Sequence, residues 1–259
     1  MKKYLLILAL SPALFFSACQ GPSKSKEKKE AKTATVDEKG RKHGLRKIMA
    51  PDGKTLKSTV NYNHGKKHGK AKTYYADGKV KTEIDYFNNV KHGDSKWFHQ
   101  NGKLYRLTTF NNGKKHGPRK TYGRDGKMLA EMNYHEGFLK FGTKEFMTTG
   151  KERTKFPKIV ITPENNLASN NTYSLHIKLS QPRKKFKVYV GKLKGADHVN
   201  PKKSQVKDVT VVGGIATFDV TIPKNKEVNE LLDVVVEYST RMGNPRLDSR
   251  KYRLKASNF

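Results

Sequence analysis

The pentapeptide GKKHG occupies residues 65–69 and returns unchanged at 113–117. Relaxed to Lys-His-Gly, the motif also covers His43-Gly44 and His92-Gly93, so the His-Gly pairs begin at 43, 68, 92 and 116. A period of this length marks a supersecondary unit that cannot bury its apolar side alone and is therefore repeated. Other columns share the period. Turn dipeptides recur at Asp52-Gly53, Asp77-Gly78, Asn101-Gly102 and Asp125-Gly126, with Thr149-Gly150 a degenerate fifth. Three residues before them stand Met49, Tyr74, Phe98, Tyr122 and Phe146. After them come Val60, Ile84, Thr108 and Met132 and, two residues further on, Tyr62, Tyr86, Phe110 and Tyr134. A spacing of two is strand alternation.

Asp-Gly or Asn-Gly between alternating segments is a strong hairpin signal, because both residue types tolerate the positive φ of a tight turn. A second connection follows each aromatic column. There Gly65, Asn89, Gly113 and Gly137 are expected to open a turn that the His-Gly pair closes, which makes His43, His68, His92 and His116 structural corners. The units GKKHGKAKTYYADGKVKTEIDY (65–86) and NVKHGDSKWFHQNGKLYRLTTF (89–110) resemble the MORN-type repeat, particularly the variant of the YwqK-like antitoxin family. That resemblance spans roughly residues 40–150. It implies a long antiparallel meander of hairpins used as a structural or binding unit, with toxin neutralisation as the alternative.

The histidine column suggests metal, but the geometry opposes it. Equivalent residues of successive hairpins lie two strand spacings apart, about 9.5 Å, whereas each ligand of one zinc ion stands about 2 Å from it. No metal and no cofactor is expected. The lysines have two readings. Lys66, Lys67, Lys91, Lys114 and Lys115 are expected to form a basic rim, either as solvated surface that blunts the sheet against edge pairing or as an anion-binding ladder.

The chain of 259 residues carries 54 Lys and Arg against 23 Asp and Glu, a net charge of +31 spread along its length. Such an excess speaks to partners rather than to fold. The start, MKKYLLILALSPALFFSACQ, has a basic end, an apolar run too short to span a bilayer as a stable helix, and small residues before Cys19. Phe16-Ser17-Ala18-Cys19 resembles a bacterial lipobox with Phe in place of the usual Leu, which implies cleavage before Cys19 and its acylation. The other reading is an ordinary cleavage site that happens to adjoin a cysteine. Two or three acyl chains at about 0.8 kcal/mol per buried CH₂ anchor almost irreversibly. Cys19 is also the sole cysteine, so acylation leaves none for a disulfide, a thiolate metal site or a cysteine nucleophile.

Four segments are expected: a signal peptide (1–18), a disordered basic tether (19–38), MORN-like hairpins (39–155) and a β-sandwich (156–259). Past residue 155 the period stops and seven short alternating segments follow, with Gly213-Gly214 as a hairpin turn. Their number and length suggest an immunoglobulin-like sandwich by architecture. The basic stretch 194–205 reads as a long loop open to partners. No nucleophile elbow, phosphate loop, HExxH or paired-acid motif is present, so no enzyme activity is expected. The sequence thus describes an all-β envelope lipoprotein of binding or scaffold type, anchored by lipid, with Gln20 pointing to the outer membrane. Its expected partners are the membrane and an envelope protein or anionic envelope polymer. The export signal argues against nucleic acid as a physiological partner.

Overall fold

A computed structural model describes residues 35–259 except Lys184 and Lys194. The signal segment, Cys19 and the tether up to residue 34 lie outside the described residues. The hairpin repeat builds β1 (Thr35–Val36), β2 (Lys42–Met49), β3 (Leu56–Asn63), β4 (Lys66–Tyr74), β5 (Val80–Phe87), β6 (Val90–Phe98), β7 (Leu104–Asn111), β8 (Lys114–Tyr122), β9 (Met128–His135), β10 (Phe138–Leu139) and β11 (Lys144–Glu145). They form one antiparallel sheet with β1 to β10 in chain order, and β11 pairs with β9. The sheet starts inside the segment expected to be tether, because β1 pairs with Lys42 and His43. Asp37 fastens that end. Its carboxyl accepts from the backbone N–H of Lys39 and Arg41, from Arg41 Nε at 2.8 Å and from His64 Nδ1 at 2.7 Å. Those bonds, the His64 ring foremost, hold the carboxyl far below the usual range.

Two kinds of turn alternate along the sheet. At one end the side-chain oxygens of Asp52, Asp77, Asn101 and Asp125 accept the backbone N–H two residues on, at 2.9–3.1 Å, and the following glycine takes a positive φ. At the other end are two-residue turns with both φ positive: His64-Gly65, Asn88-Asn89, Asn112-Gly113 and Glu136-Gly137.

The His-Gly pairs are not where the sequence suggests. Strands β4, β6 and β8 have already begun at Lys66, Val90 and Lys114, so His68, His92 and His116 lie inside strands, and His43 lies inside β2. Registry jumps from Tyr62↔Lys67 to Val60↔Ala71, and likewise in the next two repeats. The His-Gly pair fills the resulting bulge. A bulge glycine needs the same positive φ as a turn glycine, and Gly69, Gly93 and Gly117 have φ of 78°, 89° and 83°. The imidazoles make tilted ring contacts: His68 and His92 with Phe87, His116 with His135 and His43 with His64.

The rest of the chain forms β12 (Ile159–Asn166), the short α1 (Leu167–Asn170), β13 (Thr172–Leu179), β14 (Phe186–Lys192), β15 (Gln205–Val209), β16 (Val211–Val212), β17 (Ile215–Thr221), β18 (Lys226–Ser239) and β19 (Pro245–Asn258). Two four-stranded sheets, ordered β12-β13-β17-β16 and β15-β14-β18-β19, face each other across a core that includes Leu175, Ile177, Val188, Val190, Val234, Val236 and Leu254. Eight strands stand where seven are expected. Val209 and Val211, expected on one strand, belong to opposite sheets, since the chain crosses between them at Thr210.

A third layer covers the second of these sheets. Val234, Val235 and Val236 are each 0% exposed, which a strand with one wet face cannot achieve, because successive side chains point to opposite sides. Tyr189, Val235 and Leu247 pack outward onto Ala130, Met132, Tyr134 and Leu139 at the end of the repeat sheet. The loop expected to be open to partners contributes to the same contact. Its Val199 is buried there beside the preceding Leu193, the Phe141 N–H donates to the Asp197 carbonyl, and Lys140 Nζ pairs with the Asp197 carboxyl.

Candidate functional site

Alternation and register sort the side chains of β2–β9 onto two faces. On one lie Arg46, Val60, Ile84, Thr108, Arg119 and Met132, running across the strands, with the aromatic column two residues along. The ammonium groups of Lys42, Lys67, Lys91 and Lys115 stand over the rings of Tyr62, Tyr86, Phe110 and Tyr134, at 5.5, 5.4, 5.2 and 4.8 Å from the centroids. Each contact contributes about 0.5–1 kcal/mol. Cation and ring therefore alternate across the sheet. Each lysine is also fixed from behind, because its carbonyl accepts the N–H of Gly65, Asn89, Gly113 or Gly137 one hairpin on, at 2.7–2.9 Å. Nearby on the same face, the Arg106 guanidinium lies 4.6 Å from the Trp97 ring.

The expected five-lysine rim divides. Lys67, Lys91 and Lys115 belong to the row, whereas Lys66 and Lys114, one residue earlier in β4 and β8, point to the other face. Lys42, Arg106 and Arg119 complete the cationic face without having been singled out in the sequence. The signal for Lys42 was present, since it is the Lys of the first Lys-His-Gly.

Acidic side chains of the strands lie on the opposite face. There Glu83 pairs with Lys70 at 2.8 Å and Lys72 at 3.0 Å, Asp85 with Lys70 at 3.2 Å, and Glu131 with Lys120 at 3.6 Å. Hydrogen bonding to Lys70 pulls the Glu83 carboxyl below its ordinary range, and Glu83 in turn raises Lys70. On the cationic face the electrostatics run the other way. Burial, then the guanidiniums of Arg119 and Arg106, hold the Lys115 ammonium below the usual lysine value, and burial with Arg119 lowers Arg106. Among the described residues no ion pair engages Lys42, Lys67, Lys91, Lys115, Arg46, Arg106 or Arg119. An anion placed on this face would relieve repulsion instead of competing with an internal carboxylate.

At its last hairpin the row meets a cavity of about 430 Å³ between the repeat sheet and the sandwich, lined in part by Lys115, Tyr134, Phe138, Lys187, Tyr189 and Leu247. Among the described residues no group of three or more His, Cys, Asp or Glu side chains is placed to hold a metal ion, and no helix is long and apolar enough to cross a membrane. No curated protein matches the chain. A family model for a MORN repeat variant matches residues 67–89, 91–112 and 115–136. Each match starts at a lysine of the row and ends in the next two-residue turn, so the hairpins β4–β5, β6–β7 and β8–β9 are MORN-type repeats.

Proposed function

We propose that the chain is a non-enzymatic binding or scaffold protein of the bacterial cell envelope, acylated at Cys19 and presenting the cation-aromatic face of its repeat sheet to a partner. The observation that carries this reading is the separation of charge by face. The ion pairs of the strands gather on one side, which holds their carboxylates, and the other keeps its cations free of ion pairs. The anchor rests on the N-terminal sequence, where the basic end, the apolar run and the small residues before Cys19 support acylation and Gln20 supports the outer membrane. The strand order of the two C-terminal sheets supports an immunoglobulin-like reading of residues 156–259.

The test is capture from native cells with cleavable cross-linking. Wild type is compared with Lys67→Glu/Lys91→Glu/Lys115→Glu and with the charge-matched Lys72→Glu/Lys96→Glu/Lys120→Glu on the other face. Capture is expected to fail for the first triple variant and to persist for the second. Loss in neither, or equal loss in both, would remove the reading. Stoichiometric capture of one protein, whose toxicity the chain suppresses, would identify the partner as a toxin. In the same cells Cys19→Ala is expected to carry no acyl label and to leave the membrane fraction. A wild-type protein already unlabelled and soluble would contradict the anchor.

A further inference from the structure

We propose that the Lys42–Lys67–Lys91–Lys115 row is the contact line for a linear anionic polysaccharide bearing one carboxylate or sulfate per disaccharide. The proposal rests on the binding-face reading above and names its ligand class. Successive lysines of the row belong to successive hairpins, so they recur every two strands, about 9.5 Å, close to the length of one disaccharide. The row crosses three such steps, about 29 Å, at nearly constant chemistry, because every ammonium is set by a ring beneath it and by a backbone bond behind it. A polymer with the same charge period meets one cation per repeat. Arg46 and Arg119 lie beside the row on the same face, in β2 and β8.

Two other polyanions fit less well. Single-stranded nucleic acid carries a phosphate on every nucleotide and is held by bases stacking on free aromatic faces, whereas each ring of the row already lies under an ammonium. A bilayer surface calls for an apolar patch to insert. The exposed apolar side chains instead divide between the faces, Trp97 on one and Phe87 and Val90 on the other.

Calorimetric titration of the full chain tests the proposal, with hyaluronan oligosaccharides from disaccharide to decasaccharide, neutral dextran, oligo(dT) and phosphatidylglycerol vesicles as probes. Affinity for hyaluronan is expected to climb up to the octasaccharide, which engages all four lysines, and then level off, while dextran does not bind. Lys67→Gln/Lys91→Gln/Lys115→Gln is expected to weaken octasaccharide binding about tenfold, as three exposed ion pairs together imply. The charge-matched Lys72→Gln/Lys96→Gln/Lys120→Gln is expected to stay within about twofold. Lys67→Arg/Lys91→Arg/Lys115→Arg, which keeps charge and ring contact, is expected to bind like wild type, separating ligand loss from misfolding. Equal loss in both Gln variants, no dependence on length, or tighter binding of oligo(dT) or vesicles would overturn the proposal. If no glycan binds while native capture still depends on the cationic face, the ligand assignment is wrong and the binding-face reading stands. If that dependence is also missing, both fall.

Discussion

Exchanging Glu145 for alanine is expected to cost the folded protein about 4 kcal/mol, the largest effect of any single side chain considered. Glu145, in β11 at the end of the repeat sheet, is 0% exposed. Its Oε1 accepts from the Thr240 hydroxyl and from Asn244 Nδ2 at 2.7 Å, and its Oε2 faces Arg153 Nε at 3.8 Å. Thr240 and Asn244 flank the tight turn joining β18 to β19, so one carboxyl ties the last repeat to the longest hairpin of the sandwich. Alanine would leave the buried Thr240 hydroxyl and the half-buried Asn244 amide without this acceptor, beside a cavity of about 270 Å³ that Glu145, Arg153 and Thr240 help to line. Each unsatisfied buried group costs about 1–3 kcal/mol. Glu145→Gln retains an acceptor for Thr240 and should cost about 1–2 kcal/mol. Denaturant titration of the three proteins checks the order. Equal stability of Glu145→Ala and wild type would mean that the junction contributes nothing.

Gly191→Ala is expected to cost about 3 kcal/mol for a different reason. Gly191 has φ +154°, and a Cβ there would stand 2.1 Å from the Gln205 carbonyl oxygen and 2.8 Å from Val206 Cα. Both obstacles are backbone, so no rotamer change relieves them. Gly191 pairs with Val206 across β14 and β15, and the only relaxation is to push β15 off the sheet edge. Gly243→Ala is the comparison, because its φ of +77° is also positive but its Cβ would meet nothing within 4 Å. That variant should lose about 1 kcal/mol. If the two variants lose the same stability, backbone conformation alone is at work and the close approach of β15 is wrong.

The repeat was legible because it is written in local chemistry. Asp52-Gly53 and its counterparts fold where they stand, and alternation through Val60 and Tyr62 fixes which side chains share a face. The His-Gly pairs misled because glycine at positive φ serves a bulge as well as a turn, and nothing adjacent to Gly69 distinguishes the two. That shift of a few residues mattered. Because β4 begins at Lys66, adjacency alone puts Lys66 and Lys67 on opposite faces, and no five-lysine rim forms. The third layer left a fainter mark, the unbroken apolar runs Val188-Tyr189-Val190 and Val234-Val235-Val236, which indicate burial from both sides. Which surface covers them cannot be read locally. Glu145 and Thr240 lie 95 residues apart, and no pattern in either neighbourhood announces the other.

The central claim is that one face of the repeat sheet, and not the other, meets the partner. Hydroxyl-radical footprinting read by mass spectrometry tests it on the full chain, with and without the material captured from native cells, because the aromatic side chains of both faces react and report individually. Tyr62, Tyr86, Phe110 and Trp97 are expected to become protected on binding while Phe87 and His92 on the other face stay as reactive as in the free protein. Protection of Phe87 and His92 with the cation-aromatic row unchanged would contradict the claim.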